Sequence, residues 1–470
     1  MSTVAFATLG CRLNQVDSQD LAARLEQRGF HSVPFEHGGP SRADVVIVNT
    51  CTVTGRADVS DRQMIRRAVR RHPGARVVVT GCWAQTDPDA VASLPGVDVV
   101  VGNADKPRLP EIVARLLEEA SPRASARVEV SDIADVRKMP APAPAAKAMG
   151  RSRAFLKVQE GCQHRCAFCI VPLARGVSRS LDPNVVIDHA RQLVELGHPE
   201  IVLTGVDLGH YGADLASGTS SGHGGPTTHR RACGATDPQA PSRTSLAALV
   251  RALVEVPGLR WLRLSSVLPA YFTPELLDVV TTSPVIAPHL HIPLQSGSDR
   301  VLRRMRRPYN VAMYRGLVER LAAAIPGLGL GADVIVGFPG ETDDDFVATM
   351  TLAEALPFSY LHVFGYSDRK DTAAAGLRDH VPAATIAKRS LALRELAEAK
   401  NLAFRQRMRG VLEDVLVLEA RDRATGDLVG LTGNYVEVTF QGPDALMRTI
   451  TRVRVTSVDG SATRGVASER

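Results

Sequence analysis

VQEGCQHRCAFCI, residues 158–170, sets Cys162, Cys166 and Cys169 in the spacing C-x3-C-x2-C directly after an apolar run at 154–158. Three thiolates on one short loop can hold three irons of a cubane and leave the fourth open to a substrate or cosubstrate. The loop follows the first strand of a β/α repeat, the end at which barrel enzymes place their chemistry. The competing reading is structural zinc, which takes four protein ligands. His164 is the available fourth, but its place inside the same tight loop makes tetrahedral geometry awkward.

Upstream, Cys11, Cys51 and Cys82 are far apart in sequence, yet each follows an apolar strand pattern, at 4–8, 45–49 and 77–80. In a parallel sheet, strand ends on one side converge at one edge, the usual ligand site. Gly10, Thr50 and Gly81 precede them, and small residues let backbone approach a bulky group. Buried cysteines are common in cores, so any one alone reads as packing; three at matching strand ends read as a second ligand set. The seventh cysteine, Cys233, lies near His223 and His229 in a Gly-, Ser-, Thr- and His-rich stretch. That composition favours an incidental loop thiol over a metal site.

Around these cysteines the chain divides. Residues 1–138 alternate strands (97–101 is the fourth) with helices at 18–28, 59–71 and 109–119, as in a doubly wound parallel sheet. Residues 139–150 are a Pro/Ala linker. Six β/α units fill 151–402, with strands at 154–158, 201–204, 262–265, 290–293, 333–336 and 360–363, implying a partial barrel with a flexible insertion at 212–245. A charged helix at 383–409 leads to a small all-β barrel at 403–465, with strands at 411–418, 436–440 and 450–455. The fold class is α/β multidomain. Aromatic residues are 4% of the chain, so its cores are built from Ala, Val and Leu. No run is long enough to span a membrane, and residues 1–10 lack a signal-peptide pattern. The odd cysteine count argues against a disulfide framework. Together these point to a soluble cytoplasmic protein. A net charge of +6 permits a polyanionic partner without demanding one.

The motifs resemble the radical S-adenosylmethionine (SAM) methylthiotransferase family over nearly the whole chain. TLGCRLNQVDS (8–18), NTCTVT (49–54) and GCWAQ (81–85) look like its N-terminal domain. KVQEGCQHRCAFCIVPLARGVSRS (157–180), HIPLQSGSDRVLRRMRR (291–307) and DVIVGFPGET (333–342) look like its radical SAM domain, and GLTGNYVEVTF (430–440) like its TRAM domain. The resemblance implies two [4Fe-4S] clusters, one on Cys162, Cys166 and Cys169 and one on Cys11, Cys51 and Cys82. The first would generate the radical and the second would carry the sulfur. One SAM would methylate that sulfur; a second, with an external low-potential electron donor, would supply the radical. PLARG (172–176), LTGVDLGHYG (203–212) and HVFGYSDRKDTAAA (362–374) look most like the branch acting on threonylcarbamoyladenosine at tRNA position 37. The alternatives are isopentenyladenosine in tRNA, a ribosomal-protein aspartate, or a non-catalytic RNA-binding iron–sulfur protein. Relative to the family, Gly365 replaces a frequent Pro, and Asp371-Thr372-Ala373 a frequent Gly-Thr-Pro.

Gln295, Ser296, Ile335 and Gly337 end barrel strands and are expected near SAM, although a Gly/Pro turn at 337–340 has the same pattern. Arg175 and Arg179 read equally as SAM-carboxylate or RNA-phosphate ligands. Arg303, Arg304, Arg306 and Arg307 read as phosphate contacts or a solvated helix face. In the terminal barrel, Tyr435 and Phe440 are the aromatic residues on offer for stacking on RNA.

Overall fold

The computed structural model describes residues 2–35, 43–119, 125–143, 152–215 and 244–468. Cys233, His223, His229 and most of the 212–245 insertion lie outside the described residues. The N-terminal sheet is parallel, in the order His31–Pro34, Thr3–Thr8, Val45–Thr50, Arg76–Gly81, Val99–Val101, Arg127–Glu129. Val45–Thr50 is buried throughout. On one face Ile47 and Val78 pack with Leu21 and Ile112. On the other, Val46 and Val79 pack with Ile65 and Trp83. The strand order reverses between Thr3–Thr8 and Val45–Thr50, opening a crevice at their carboxyl ends.

Two strands, His31–Pro34 and Arg127–Glu129, were not expected. Both are short edge strands without an apolar run. The first helix spans Arg12–Glu26 rather than 18–28, because its opening turns bury the polar Asn14, Asp17 and Ser18. Apolar periodicity cannot register such turns.

The middle region forms two three-stranded parallel sheets, Trp261–Leu264, Glu200–Thr204, Arg153–Lys157 and His289–His291, Gly329–Val336, Tyr360–Gly365. A parallel bridge from Leu262 to Ile286 joins them. The result is the expected open six-stranded barrel. Alternation sends Leu156, Leu203, Leu264, Leu290, Val334 and Leu361 outward into the helix-covered core. The opposite positions, including Arg153, Glu200, Arg263, His289, Asp333 and Tyr360, face the interior.

The C-terminal strands close a five-stranded barrel, in the order Leu412–Arg421, Leu428–Thr432, Glu437–Phe440, Ala462–Ala467, Ile450–Asp459. Two of these, Leu428–Thr432 and Ala462–Ala467, went unread in the sequence. The turn after Leu428–Thr432 plugs the amino-terminal mouth of the open barrel. Arg263 Nη1 donates to Gly433 O at 2.8 Å, and the Tyr435 ring stacks on His289 at 4.5 Å. Tyr435 therefore serves the plug rather than an RNA face, and Phe440 is core.

Buried charges lock the units together. Glu200 pairs with Arg263 through Nε at 2.7 Å and Nη2 at 3.2 Å, both side chains wholly buried. Asp17, on the first helix, receives Lys106 at 2.7 Å, Lys157 at 2.5 Å and Arg175 at 3.1 Å. Burial alone would raise its pKa, but these cations hold it well below the usual carboxylate range.

Removing one partner of a buried pair strands the other charge. Glu200→Ala is expected to cost about 3–5 kcal/mol, read as a lower denaturation midpoint. For Asp17 the folded pKa lies below the unfolded value near 3.9. Its stabilisation is present above that pH and is lost as pH falls through the folded value. Asp17→Asn should therefore flatten the acid limb of the stability–pH profile.

Candidate functional site

The loop carrying Cys162, Cys166 and Cys169 is fixed by backbone contacts. Gly161 has φ 73°, where a Cβ would collide with Val177 O. Cys162 N donates to Gly176 O, and Ala167 N to Met305 O. Cys162 Sγ accepts from His164 N at 3.4 Å. The His164 ring turns elsewhere: its Nε2 meets Tyr271 Oη at 2.7 Å and Asp207 at 3.4 Å. Cys166 Sγ accepts from Arg307 Nη1 at 3.1 Å. Arg307 Nε donates to Tyr309 Oη at 3.0 Å, and Tyr309 donates to Pro293 O.

The other three cysteines converge as their strand ends predict. Cys11 precedes the first helix, Cys51 follows Val45–Thr50, and Cys82 opens the helix Cys82–Thr86. A Cβ on Gly10 would lie 2.9 Å from Cys51 Sγ, and one on Gly81 would lie 2.4 Å from Thr50 O. Cys51 N donates to Asp61 at 3.0 Å. Burial pushes the Asp61 carboxyl up to about 8.

The two triads lie on facing loops. The helix Val171–Arg175 starts two residues after Cys169, and Asn103 Nδ2 spans from its Ala174 O, at 2.7 Å, towards Cys82 Sγ. Arg175, at the end of that helix, interacts electrostatically with Cys82 and Cys11. A cavity of about 720 Å³ opens alongside, lined by Thr52, Trp83 and Ile170, the residues following Cys51, Cys82 and Cys169.

Both triads fit iron–sulfur clusters better than zinc. Burial pushes the thiols up, Cys51 to about 12 and Cys169 to about 11, with Cys162 raised further. Thiolates so placed require a bound cation. Among the described residues, the one set of His, Cys, Asp and Glu ligand atoms within 4.8 Å of one another is His291, Asp333 and His362, so neither cysteine triad is that compact. A tetrahedral zinc with bonds near 2.3 Å would draw its sulfurs to about 3.8 Å. A cubane separates them further.

The residues expected near SAM come together at the barrel's carboxyl end. Ile335 N donates to Gln295 O at 2.9 Å, and Gln295 N to Asp333 O at 2.8 Å. Gln295 has φ 68°, and its Oε1 is buried without a hydrogen-bond partner, as suits an atom that completes its bonding with a ligand. The Ser296 hydroxyl turns to Thr349, at 3.3 Å. Gly337, at φ 78°, packs where a Cβ would strike Ile386.

The arginines differ from their sequence reading. Arg175 is buried against Glu160, Asn14 and Asp17, and Arg179 donates to the carbonyls of Val136 and Arg175. Both hold backbone and carboxylates within the protein. Arg303 and Arg304 donate to the carbonyls of Asp299 and Pro339. Arg307, read in the sequence as a phosphate contact or a solvated residue, instead donates to Cys166 Sγ. The run looks like a solvated helix face, but the helix ends at Arg304, and Arg306 at φ 59° turns the chain inward.

Fold and site define a radical SAM protein. Residues 156–353 match the Radical SAM superfamily, and residues 3–102 match the uncharacterized protein family UPF0004. The chain is 37% identical to the threonylcarbamoyladenosine tRNA methylthiotransferase MtaB of Bacillus subtilis, over 97% of this chain and 94% of that protein. It is also 37% identical to the Aquifex aeolicus MtaB, over 93% and 97%. It is 35% identical to the tRNA-2-methylthio-N(6)-dimethylallyladenosine synthase of Mycolicibacterium vanbaalenii, over 98% and 86%. The chain belongs to the methylthiotransferase family of radical SAM enzymes. In fold it resembles the radical SAM methyltransferase TsrM of Kitasatospora setae, with a TM-score of 0.56 and 18% identity over 80% of this chain and 77% of that one. Family members use SAM and a [4Fe-4S] cluster. Among the described residues, no helix is long and apolar enough to cross a membrane.

A charged N–H···S bond stabilises the reduced state of a cluster bound by that sulfur. If Cys162, Cys166 and Cys169 hold the family's [4Fe-4S] cluster, Arg307→Gln should shift its midpoint potential to more negative values in an anaerobic titration followed by electron paramagnetic resonance (EPR). Tyr309→Phe should shift it less in the same direction.

Proposed function

We propose that this chain methylthiolates C2 of N6-threonylcarbamoyladenosine at position 37 of tRNA, in the cytoplasm. The meeting of the two cysteine triads across Asn103 and Arg175 carries the reading, because a radical and a sulfur must reach the same carbon. Cys162, Cys166 and Cys169 would hold the cluster whose electron, from an external low-potential donor, cleaves SAM. Cys11, Cys51 and Cys82 would hold the second cluster and its transferable sulfur. Gln295 and Ile335 line the SAM side of this mouth, with Ser296 and Gly337 shaping the backbone there.

The chain's own residues prepare this chemistry. Arg307 biases the first cysteine set towards accepting an electron. The Asp17 network fixes the spacing between the triads, and proximity of this kind is a large part of any rate enhancement. The threonylcarbamoyl substrate follows the two MtaB proteins, each matched over more than nine-tenths of both chains. A second reading, dimethylallyladenosine, draws on the synthases at 34–35% identity.

Mass spectrometry of tRNA nucleosides from cells with and without the gene tests the proposal. Loss of 2-methylthio-threonylcarbamoyladenosine, with accumulation of its unthiolated precursor, is expected. Loss of the dimethylallyl nucleoside instead would transfer the enzyme to the second reading. Cys51→Ala should abolish the product while SAM cleavage by the other cysteine set persists.

A further inference from the structure

C2 and C6 of adenine flank N1, so a substituent on N6 leaves the same edge of the ring that presents C2. With C2 held at the cysteine triads, as proposed above, the N6 side chain must find room within roughly one side chain's length of them. A threonylcarbamoyl group ends in a carboxylate, and a buried carboxylate needs a cation or several donors.

The cavity beside the triads is acidic on balance. Its lining carries five aspartates against Arg369 and Lys370, and Arg369 is already paired with Asp58 at 2.7 Å. The interior of the open barrel has the opposite charge. Three guanidinium groups surround the Tyr435 ring, Arg12 and Arg153 at 5.7 Å and Arg263 at 5.1 Å. The carboxylate among them, Glu200, is taken by Arg263 in two hydrogen bonds. Arg153 Nη1 lies 3.9 Å from it and has no hydrogen-bond partner although buried. Arg12 Nη2 donates to the Tyr435 hydroxyl at 2.7 Å and meets no carboxylate within ion-pair distance among the described residues. Asp333, one layer nearer the clusters, is occupied by His291 at 3.1 Å and His362 at 3.3 Å.

This leaves two cations in excess in a partly buried interior. Arg12 directly follows Cys11, so its side chain runs from the second triad down to the Tyr435 hydroxyl. We propose that Arg12 and Arg153 form a carboxylate-binding subsite inside the barrel and that its ligand is the threonyl carboxylate of the N6 side chain. The half-exposed His362 imidazole forms part of its wall. The subsite deepens the substrate reading above and rests on it. An apolar dimethylallyl group offers no charge to balance the two excess cations, so the same residues select against that substrate. The carboxylate of SAM is the other source of this chemistry, and the test separates the two.

The experiment uses the full-length enzyme with both clusters reconstituted. Two anticodon stem-loop RNAs are compared, one carrying threonylcarbamoyladenosine and one carrying its primary amide in place of the carboxylate. Methylthiolation is quantified by mass spectrometry. The wild type should prefer the acid by about tenfold or more in kcat/KM, as expected for a charge-assisted contact. Arg153→Gln and Arg12→Gln should collapse that preference towards unity, and Arg153→Lys should restore part of it. Iron content and the EPR spectra of each variant report whether its clusters are intact. Equal rates of the wild type on both RNAs overturn the subsite while leaving the substrate reading standing. A variant that slows both RNAs alike and keeps the preference shows a structural role and also overturns it. A raised KM for SAM with the preference intact assigns the pair to the SAM carboxylate, against the proposal. Modification of neither RNA by the wild type overturns the substrate reading and the subsite together.

Discussion

Asp17 sits where the first helix leaves Cys11, and around it Lys106, Lys157, Arg175 and Glu160 form a buried ionic knot. The knot draws on the first helix and the Lys106–Arg108 turn of the N-terminal unit, on the first barrel strand with the segment just after it, and on the helix immediately after Cys169. It ties the unit that carries Cys11 to the strand and helix that flank the Cys162–Cys169 loop. Breaking one member would leave charges uncompensated in a desolvated site, so the knot resists rearrangement more strongly than an apolar contact of similar size. Such interactions hold geometry rather than add net stability. A reaction that needs two centres to address one carbon depends on that rigidity.

The same economy recurs at the opposite end of the barrel. The plug around Tyr435 closes the amino-terminal mouth and keeps that residue at φ 74°, an unfavourable conformation for a non-glycine residue that surrounding contacts must hold in place. Arg12 from the N-terminal unit, Arg263 from the barrel and Tyr435 from the C-terminal barrel meet there. The barrel interior is thus a chamber whose top belongs to the cysteine loops and whose floor is shared by all three units. Its polar lining contrasts with the aliphatic shell outside the same strands, and the two-residue repeat of each strand produces both at once.

The family, the six cysteines and the alternating architecture were legible in the sequence. Local spacing carries those signals: C-x3-C-x2-C needs nothing beyond a loop of seven to eight residues, and apolar runs mark buried strands. Edge strands such as Arg127–Glu129 were not legible because an exposed edge imposes no apolar pattern. Nor was the true start of the first helix, whose inward face is polar for the sake of the ionic knot.

What the sequence by itself determined is therefore the kind of chemistry: thiols at strand ends, grouped in threes. Tertiary structure alone decided what the arginines do. A guanidinium has the same sequence signature on a solvated helix face, in a buried ion pair, or against a cysteine sulfur. Arg307 reaches Cys166 because Arg306 reverses the chain, Arg175 reaches Asp17 because two units pack face to face, and Arg12 reaches Tyr435 across more than four hundred residues of chain. Charge identity is a local property of the sequence, whereas charge compensation depends on which distant partners the fold brings within a few ångströms.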